Sequence, residues 1–151
     1  METYSRKEVK KKPDIVILEG WCVGAKPQKG FLLKKPINIL EKYEDANCAW
    51  RKHANEQLKR EYKKIFSMID HYIFMKIPNF NMVFKWRHLQ EKKLRKRSRF
   101  KNRIMSIVEI KKFIMFYERI TLQMLKDLVK SASIVIMLNT KHEIKRLIFK
   151  K

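Results

Sequence analysis

Glycine is almost missing from this chain: Gly20, Gly24 and Gly30 are the three present in 151 residues. None of them opens the pattern G-x-x-x-x-G-K-[ST], because the residues five further on are Ala25, Lys29 and Lys35. A loop of that kind, whose backbone amides cradle phosphates while its Lys reaches the terminal ones, is therefore excluded from this stretch. Cysteine is equally sparse. Cys22 and Cys48 share no metal-type spacing, and no Cys/His cluster suited to zinc occurs. Such usage predicts a reduced, cytoplasmic setting. No apolar run is long enough to span a bilayer. Met1 to Lys12 is polar and basic with no apolar core, so it does not read as a secretory signal. Acidic residues are scarce too, 15 against 37 Lys and Arg, for a net charge of +22.

That imbalance favours anionic partners such as nucleotides, nucleic acid or acidic membranes. Composition offers an equally good account. Lys, Ile, Asn and Phe are plentiful while Gly, Ala and Pro are few, as in proteins from AT-rich genomes. A nucleic-acid-binding role stands as the alternative reading. It rests on the charge and on Lys92–Lys101, where seven of ten residues are basic and Phe100 is among them. No helix-turn-helix, zinc-finger or RRM pattern accompanies it. Attachment to a membrane surface by that basic helix is a weaker third reading, since its apolar face reads as domain core.

What the chain does have is one concentrated stretch, Pro13-Asp14-Ile15-Val16-Ile17-Leu18-Glu19-Gly20-Trp21-Cys22-Val23-Gly24. A continuous branched apolar run is how a strand buried on both faces reads. In open parallel sheets, ligands bind beyond the carboxyl ends of the strands. Glu19 falls at that end, where a carboxylate can hold magnesium directly or through water. A plain buried strand and turn is the competing interpretation.

The remainder is expected to follow this order. Residues 1–12 form a basic lead-in, and 13–151 form the domain. Residues 20–44 make a long connection in which Ala25-Lys26-Pro27-Gln28 can close over a ligand. A helix from Asp45 to Ile69 carries Trp50, Ala54, Leu58, Tyr62, Ile65 and Ile69 as one stripe. Tyr72–Ile77 is a strand ended by Pro78. Asn79 or Asn81 caps a helix bearing Val83, Trp86, Gln90 and Leu94 on one face, with Arg87 and Glu91 spaced to pair. Ser106 and Glu109 form a capping box ahead of a long helix. Its apolar face is Ile110, Phe113, Ile114, Tyr117, Ile120, Met124, Leu125 and Leu128. Ser133–Leu138 is a further strand, and a short helix or tail begins at His142. The order predicts an α/β fold with parallel strands and right-handed crossovers.

The stretch Asp14–Gly24 resembles the second nucleotide-site motif of the D-glycerate 3-kinase family of P-loop kinases, related to uridine kinase, pantothenate kinase and phosphoribulokinase. Three further pieces match in order. Trp50, Asn55, Leu58 and Tyr62 resemble the family's Trp…Asn…Leu…Tyr helix. Phe84-Lys85-Trp86-Arg87 with Gln90-Glu91 resembles its KWR..QE helix. Met105-Ser106 with Phe113, Tyr117 and Glu118 resembles the helix before its last strand. The match spans roughly residues 12–140.

The resemblance implies a partial P-loop NTPase, a three-layer α/β/α arrangement on a parallel sheet. It corresponds to the carboxyl-terminal half and lacks the phosphate-loop strand. It implies ATP- and Mg2+-dependent phosphorylation of a small, glycerate-like hydroxy acid. Glu19 would be the acidic partner of magnesium and, with Lys85 and Arg87, the catalytic set. Arg87 and Arg95 would lie over the ATP phosphates. Trp21, Asn55 and Gln90 would contact the substrate, although packing is the commoner role for tryptophan. Asp14, at the far end of its strand, would be structural.

In that family the phosphate-loop strand lies between the strands matching Ile15–Leu18 and Tyr72–Ile77. The resemblance thus leaves a slot in the sheet. A separate amino-terminal half would fill it, the two strands would close up, or the fragment would be poorly stable. Without the phosphate loop, the lone chain is expected to be inactive.

Overall fold

The computed structural model describes residues 11–97 and 104–150. Most of the expected lead-in, and Ser98–Lys101 of the basic run, lie outside the described residues. The order is α1 (Gly30–Lys34), α2 (Ile39–Tyr43), α3 (Ala49–Lys59), α4 (Glu61–Phe66), β1 (Ile73–Lys76), α5 (Asn81–Arg97), α6 (Ile107–Ser131), β2 (Ile134–Leu138) and β3 (Ile144–Phe149).

The strands form one sheet in the order β1-β2-β3. β1 and β2 are parallel and joined by the α5–α6 crossover, while β3 returns antiparallel to β2. The expectation of an all-parallel sheet is therefore corrected. The tail after His142 is a strand, because Asn139 and His142 close a tight connection that sends Ile144–Phe149 back along β2. The expected capping box is present. The Ser106 hydroxyl accepts from the Glu109 N–H, and the Glu109 carboxylate accepts from the Ser106 N–H at 2.7 Å. It starts the 25-residue α6, whose Ile110, Met124 and Leu128 are buried. Met124 and Leu128 complete a core with Ala25 and Leu58, against which Phe74 of β1 packs.

Alternation along the strands separates two sheet faces. Phe74, Val135 and Ile148 share a register row on the face turned to α6. Ile73, Ile134 and Phe149, with Met75, Ile136 and Leu147, form the two rows of the opposite face. Ile73 is 62% and Phe149 72% exposed on that side. Helices cover one face only among the described residues, so the expected three-layer sandwich is a two-layer one here.

Two further expectations are corrected. Ile15–Leu18 has no regular secondary structure and belongs to no sheet, and Val16 and Ile17 are 81% and 86% exposed. The residues have strand propensity, but no neighbouring strand supplies a ladder. The single helix expected over Asp45–Ile69 is two helices broken at Arg60, whose φ of −106° and ψ of −83° leave the helical region. Trp50, Tyr62 and Ile65 of its supposed buried stripe are consequently exposed. The connection 20–44 is not structureless, since it contains α1 and α2.

Candidate functional site

α5 and α6 pack side by side, and their facing residues bring two expected site residues into one column. The Arg87 guanidinium lies 5.3 Å from the centre of the Phe113 ring. Phe113 and Tyr117, one helical turn apart, have ring centres 4.8 Å apart. Trp21 meets Tyr117 edge-on at 4.7 Å, and its indole N–H donates to the Thr121 hydroxyl at 3.0 Å. Trp21 and Arg87 are thus held at two ends of an aromatic column along α6. The segment carrying Trp21 can approach this closely because Gly24 takes a φ of +81° against the Tyr72 ring.

Arg87 is anchored on its own helix as well. Its Nη1 donates to Gln90 at 2.8 Å and its Nη2 pairs with Glu91 at 2.6 Å. Glu91 is buried, and its second oxygen accepts the Met105 N–H. That bond ties the end of the α5–α6 connection to the arginine. The Arg87 Nε is buried without a partner among the described residues. Lys85, Gln90 and Arg95 are exposed on α5. The Lys92–Arg97 part of the basic run is exposed throughout.

A cavity of about 240 Å³ opens on another flank of α6. Leu33, Trp50, Leu58 and Phe116 give it apolar walls, with Gln28, Asn55, Arg119 and Gln123 at polar positions. Asn55 is buried here. Its Oδ1 accepts the Gln28 N–H at 2.7 Å and its Nδ2 donates to the Gln28 carbonyl at 3.1 Å. The amide therefore pins the Ala25–Gln28 segment to α3. Ala25 is part of the core. The segment is a fixed wall of the cavity, where a closing loop was expected.

The most connected group is one that sequence reasoning missed. Glu41 accepts from Arg119 on both carboxylate oxygens at 2.7 and 2.6 Å, from Arg51 at 3.2 Å and from the Ile37 N–H at 2.9 Å. Arg51 also pairs with Asp45 at 2.9 Å, and Arg119 donates to the Leu32 and Lys35 carbonyls. Burial pushes the Glu41 carboxyl up. The Arg119 bond, the Ile37 amide and the charges of Arg119 and Arg51 outweigh it and hold the carboxyl below its ordinary value. Both arginines spend their donors on this hub, so neither is free for an anion. The partners lie 10 and 78 residues from Glu41 in sequence. No local spacing announces such a hub.

Glu19 lies exposed just past Ile15–Leu18. No group of three or more His, Cys, Asp or Glu suited to a metal occurs among the described residues. Magnesium is commonly held by one or two carboxylates together with substrate phosphates, and Glu19 meets that minimum. The amide cradle that would hold the phosphates from within is not present. Glu19 precedes α1 while Lys85 and Arg95 lie on α5, and no step through a nucleotide follows from this chain alone.

No protein-family model matches the chain, and no curated protein does so. Among solved structures, D-glycerate 3-kinase from Cryptococcus neoformans matches over 94% of this chain with a TM-score of 0.66 and 23% identity. The fold resembles part of a D-glycerate 3-kinase. The match covers 51% of the fungal chain, so these residues span about half of its length. No helix among the described residues is long and apolar enough to cross a membrane.

Proposed function

We propose that this chain is the lid and substrate half of an ATP- and Mg2+-dependent cytoplasmic kinase for a small hydroxy acid such as glycerate. In this reading the phosphate loop is supplied from outside these 151 residues. The observation that carries the reading is the fold likeness to D-glycerate 3-kinase over nearly the whole chain and half of that protein. The ordered sequence motifs support it, as does the convergence of Trp21 and Arg87 on α6. In this reading Glu19 holds magnesium, Arg87 and Arg95 cover the phosphates, and Lys85 neutralises charge on the transferred group. Trp21, Asn55 and Gln90 shape the side that receives the hydroxy acid. Asn55 acts through Gln28, whose side chain lies between Gln123 and Arg119. Phosphoryl transfer is chiefly positioning and charge neutralisation. A half without the cradle supplies neither in full.

Calorimetry with ATP-Mg, on the chain alone and with a phosphate-loop half, tests this. The expected result is no binding alone, then binding and glycerate phosphorylation on mixing, abolished by Glu19→Gln. Tight ATP-Mg binding by the lone chain overturns the need for a complement. Absence of binding in both states, with salt-dependent binding to DNA, favours the nucleic-acid alternative.

A further inference from the structure

The cavity between α3 and α6 is walled by polar groups whose bonding capacity is largely spent. Arg119 uses all five of its donors, on Glu41, on Gln28 and on the Leu32 and Lys35 carbonyls. The Gln28 side chain donates to Gln123 at 2.9 Å and accepts from Arg119 at 3.1 Å, and Gln123 donates on to Asp127. Arg51 is answered by Glu41 and Asp45. A continuous ribbon of bonds therefore runs from Asp127 to Asp45, with its arginines balanced by carboxylates. A wholly polar molecule entering here gives up its water shell and finds few open partners.

The rest of the wall is apolar. Leu33, Leu40 and Leu58 are buried, while Trp50 and Phe116, each 52% exposed, reach solvent. Their rings stand 6.4 Å apart and 31° from parallel, one from α3 and one from α6. Half-exposed rings lining a cavity leave apolar area that a ligand ring can cover. A cavity of about 150 Å³ lined by Leu, Ile and Phe takes one benzene. At about 240 Å³, this one takes a single ring with a short substituent. Lys26 is the one charged group of the wall without an ion pair among the described residues, and it is exposed.

We propose that this cavity is a binding site for a small aromatic monocarboxylate, its ring set against Trp50 and Phe116 and its carboxylate paired with Lys26. The site lies apart from the Trp21–Arg87 column. Phe113, Tyr117 and Thr121 follow one stripe of α6 at successive turns, and Phe116, Arg119 and Gln123 lie round the helix from them. None of Glu19, Trp21, Lys85, Arg87, Gln90 and Arg95 lines the cavity. Asn55 does, but its amide is committed to the Gln28 backbone. The inference therefore stands without the kinase reading. A single carboxylate matches the lone ammonium, whereas a phosphate dianion leaves charge unanswered. An aliphatic body of equal size buries similar area but forgoes the ring contacts.

The probes are phenylacetate, the alcohol of the same skeleton, phenylethanol, and glycerate. Calorimetry on the chain gives affinities, and amide and methyl NMR shifts locate the ligand. Phenylacetate should bind saturably, with shifts at Leu33, Leu58 and Gln123. Phenylethanol should bind at the same residues about threefold more weakly, and glycerate should shift none of them. Lys26→Met should remove the difference between acid and alcohol. Ala54→Phe puts a ring into the cavity from an exposed helical position. It should keep the thermal transition and weaken both ligands by about tenfold or more. Phe116→Ala, which fills nothing, should weaken both by about tenfold. A folded chain that binds no phenylacetate overturns the proposal, as does binding indifferent to Ala54→Phe and Phe116→Ala. Equal affinity for acid and alcohol in the native chain, or glycerate shifting the same residues, overturns the assigned ligand class.

Discussion

Arg87 and Phe113 face each other across the α5–α6 seam, guanidinium to ring centre 5.3 Å. The same guanidinium reaches Gln90 and the buried Glu91. Lysine cannot reproduce this, because a point charge neither forks to two acceptors nor stacks flat on a ring. Arg87→Lys should lower stability by about 1–3 kcal/mol, the cost of an imperfectly paired buried acceptor. Glu91→Gln should cost less, since its amide oxygen can still accept either from Arg87 or from Met105. Denaturant midpoints for the two variants check the order. Equal losses would mean that the ring contact contributes nothing.

Removing the Glu41 carboxylate should be the most damaging single change. Glu41→Ala leaves Arg51 and Arg119 buried without their shared counter-charge. Breaking a buried pair from one side costs about 3–5 kcal/mol. A clear fall in the thermal transition is expected. Lys112→Ala, which removes an exposed pair with Glu44, should change it little.

The same carboxylate sets an acid limit. Its folded value lies below its ordinary value of 4.5, so the unfolded chain binds the proton first as pH falls. Its contribution is complete above the unfolded value and is lost as pH drops through the folded one. Urea titrations across that range should show stability falling more steeply with acid for the native chain than for Glu41→Gln. Parallel curves would show that Glu41 is not the group responsible.

Two glycine substitutions should differ in sign. At Gly24 a Cβ would meet the Tyr72 ring at 2.7 Å in a left-handed backbone. Gly24→Ala should destabilise by about 1–3 kcal/mol. At Gly30, which opens α1, nothing lies within 4 Å of a Cβ. Gly30→Ala should stabilise by about 0.4–1 kcal/mol by restricting the unfolded chain. Calorimetric transitions for both variants decide it.

Asn55→Leu keeps volume but strips both partners from the Gln28 backbone. A loss of about 1–3 kcal/mol is expected. Asn55→Asp, which retains the acceptor for the Gln28 N–H, should fall between. If the leucine variant is as stable as the native chain, the Gln28 segment is held by other contacts.

Local patterns were readable where local physics decides. The capping box at Ser106 and Glu109, the apolar face of α6 and the Arg87–Glu91 spacing all depend on residues within a few turns. β1 and β2 announced themselves as solid apolar runs between breakers. β3 did not, because Lys145 and Arg146 interrupt its alternation and its strand state comes from pairing with β2. Ile15–Leu18 shows the converse, having the residues of a strand and no partner to make one. The break at Arg60 has neither proline nor glycine to mark it. Of the expected site, Trp21 and Arg87 converge on α6, and Asn55 is committed to the Gln28 backbone. Lys85, Gln90 and Arg95 share α5, and Glu19 stands apart in solvent. The Glu41 hub was illegible because its partners meet only after α6 has packed on the earlier helices.

Arg119 and Glu41 also determine how the molecule opens. Leu32, Lys35, Ile37, Asn38 and Arg51 are all tied to this pair or to its neighbours on α6. The helices α1 and α2 are five residues each and cannot persist alone. Residues 30–51 therefore leave α6 together or stay together, as one cooperative unit.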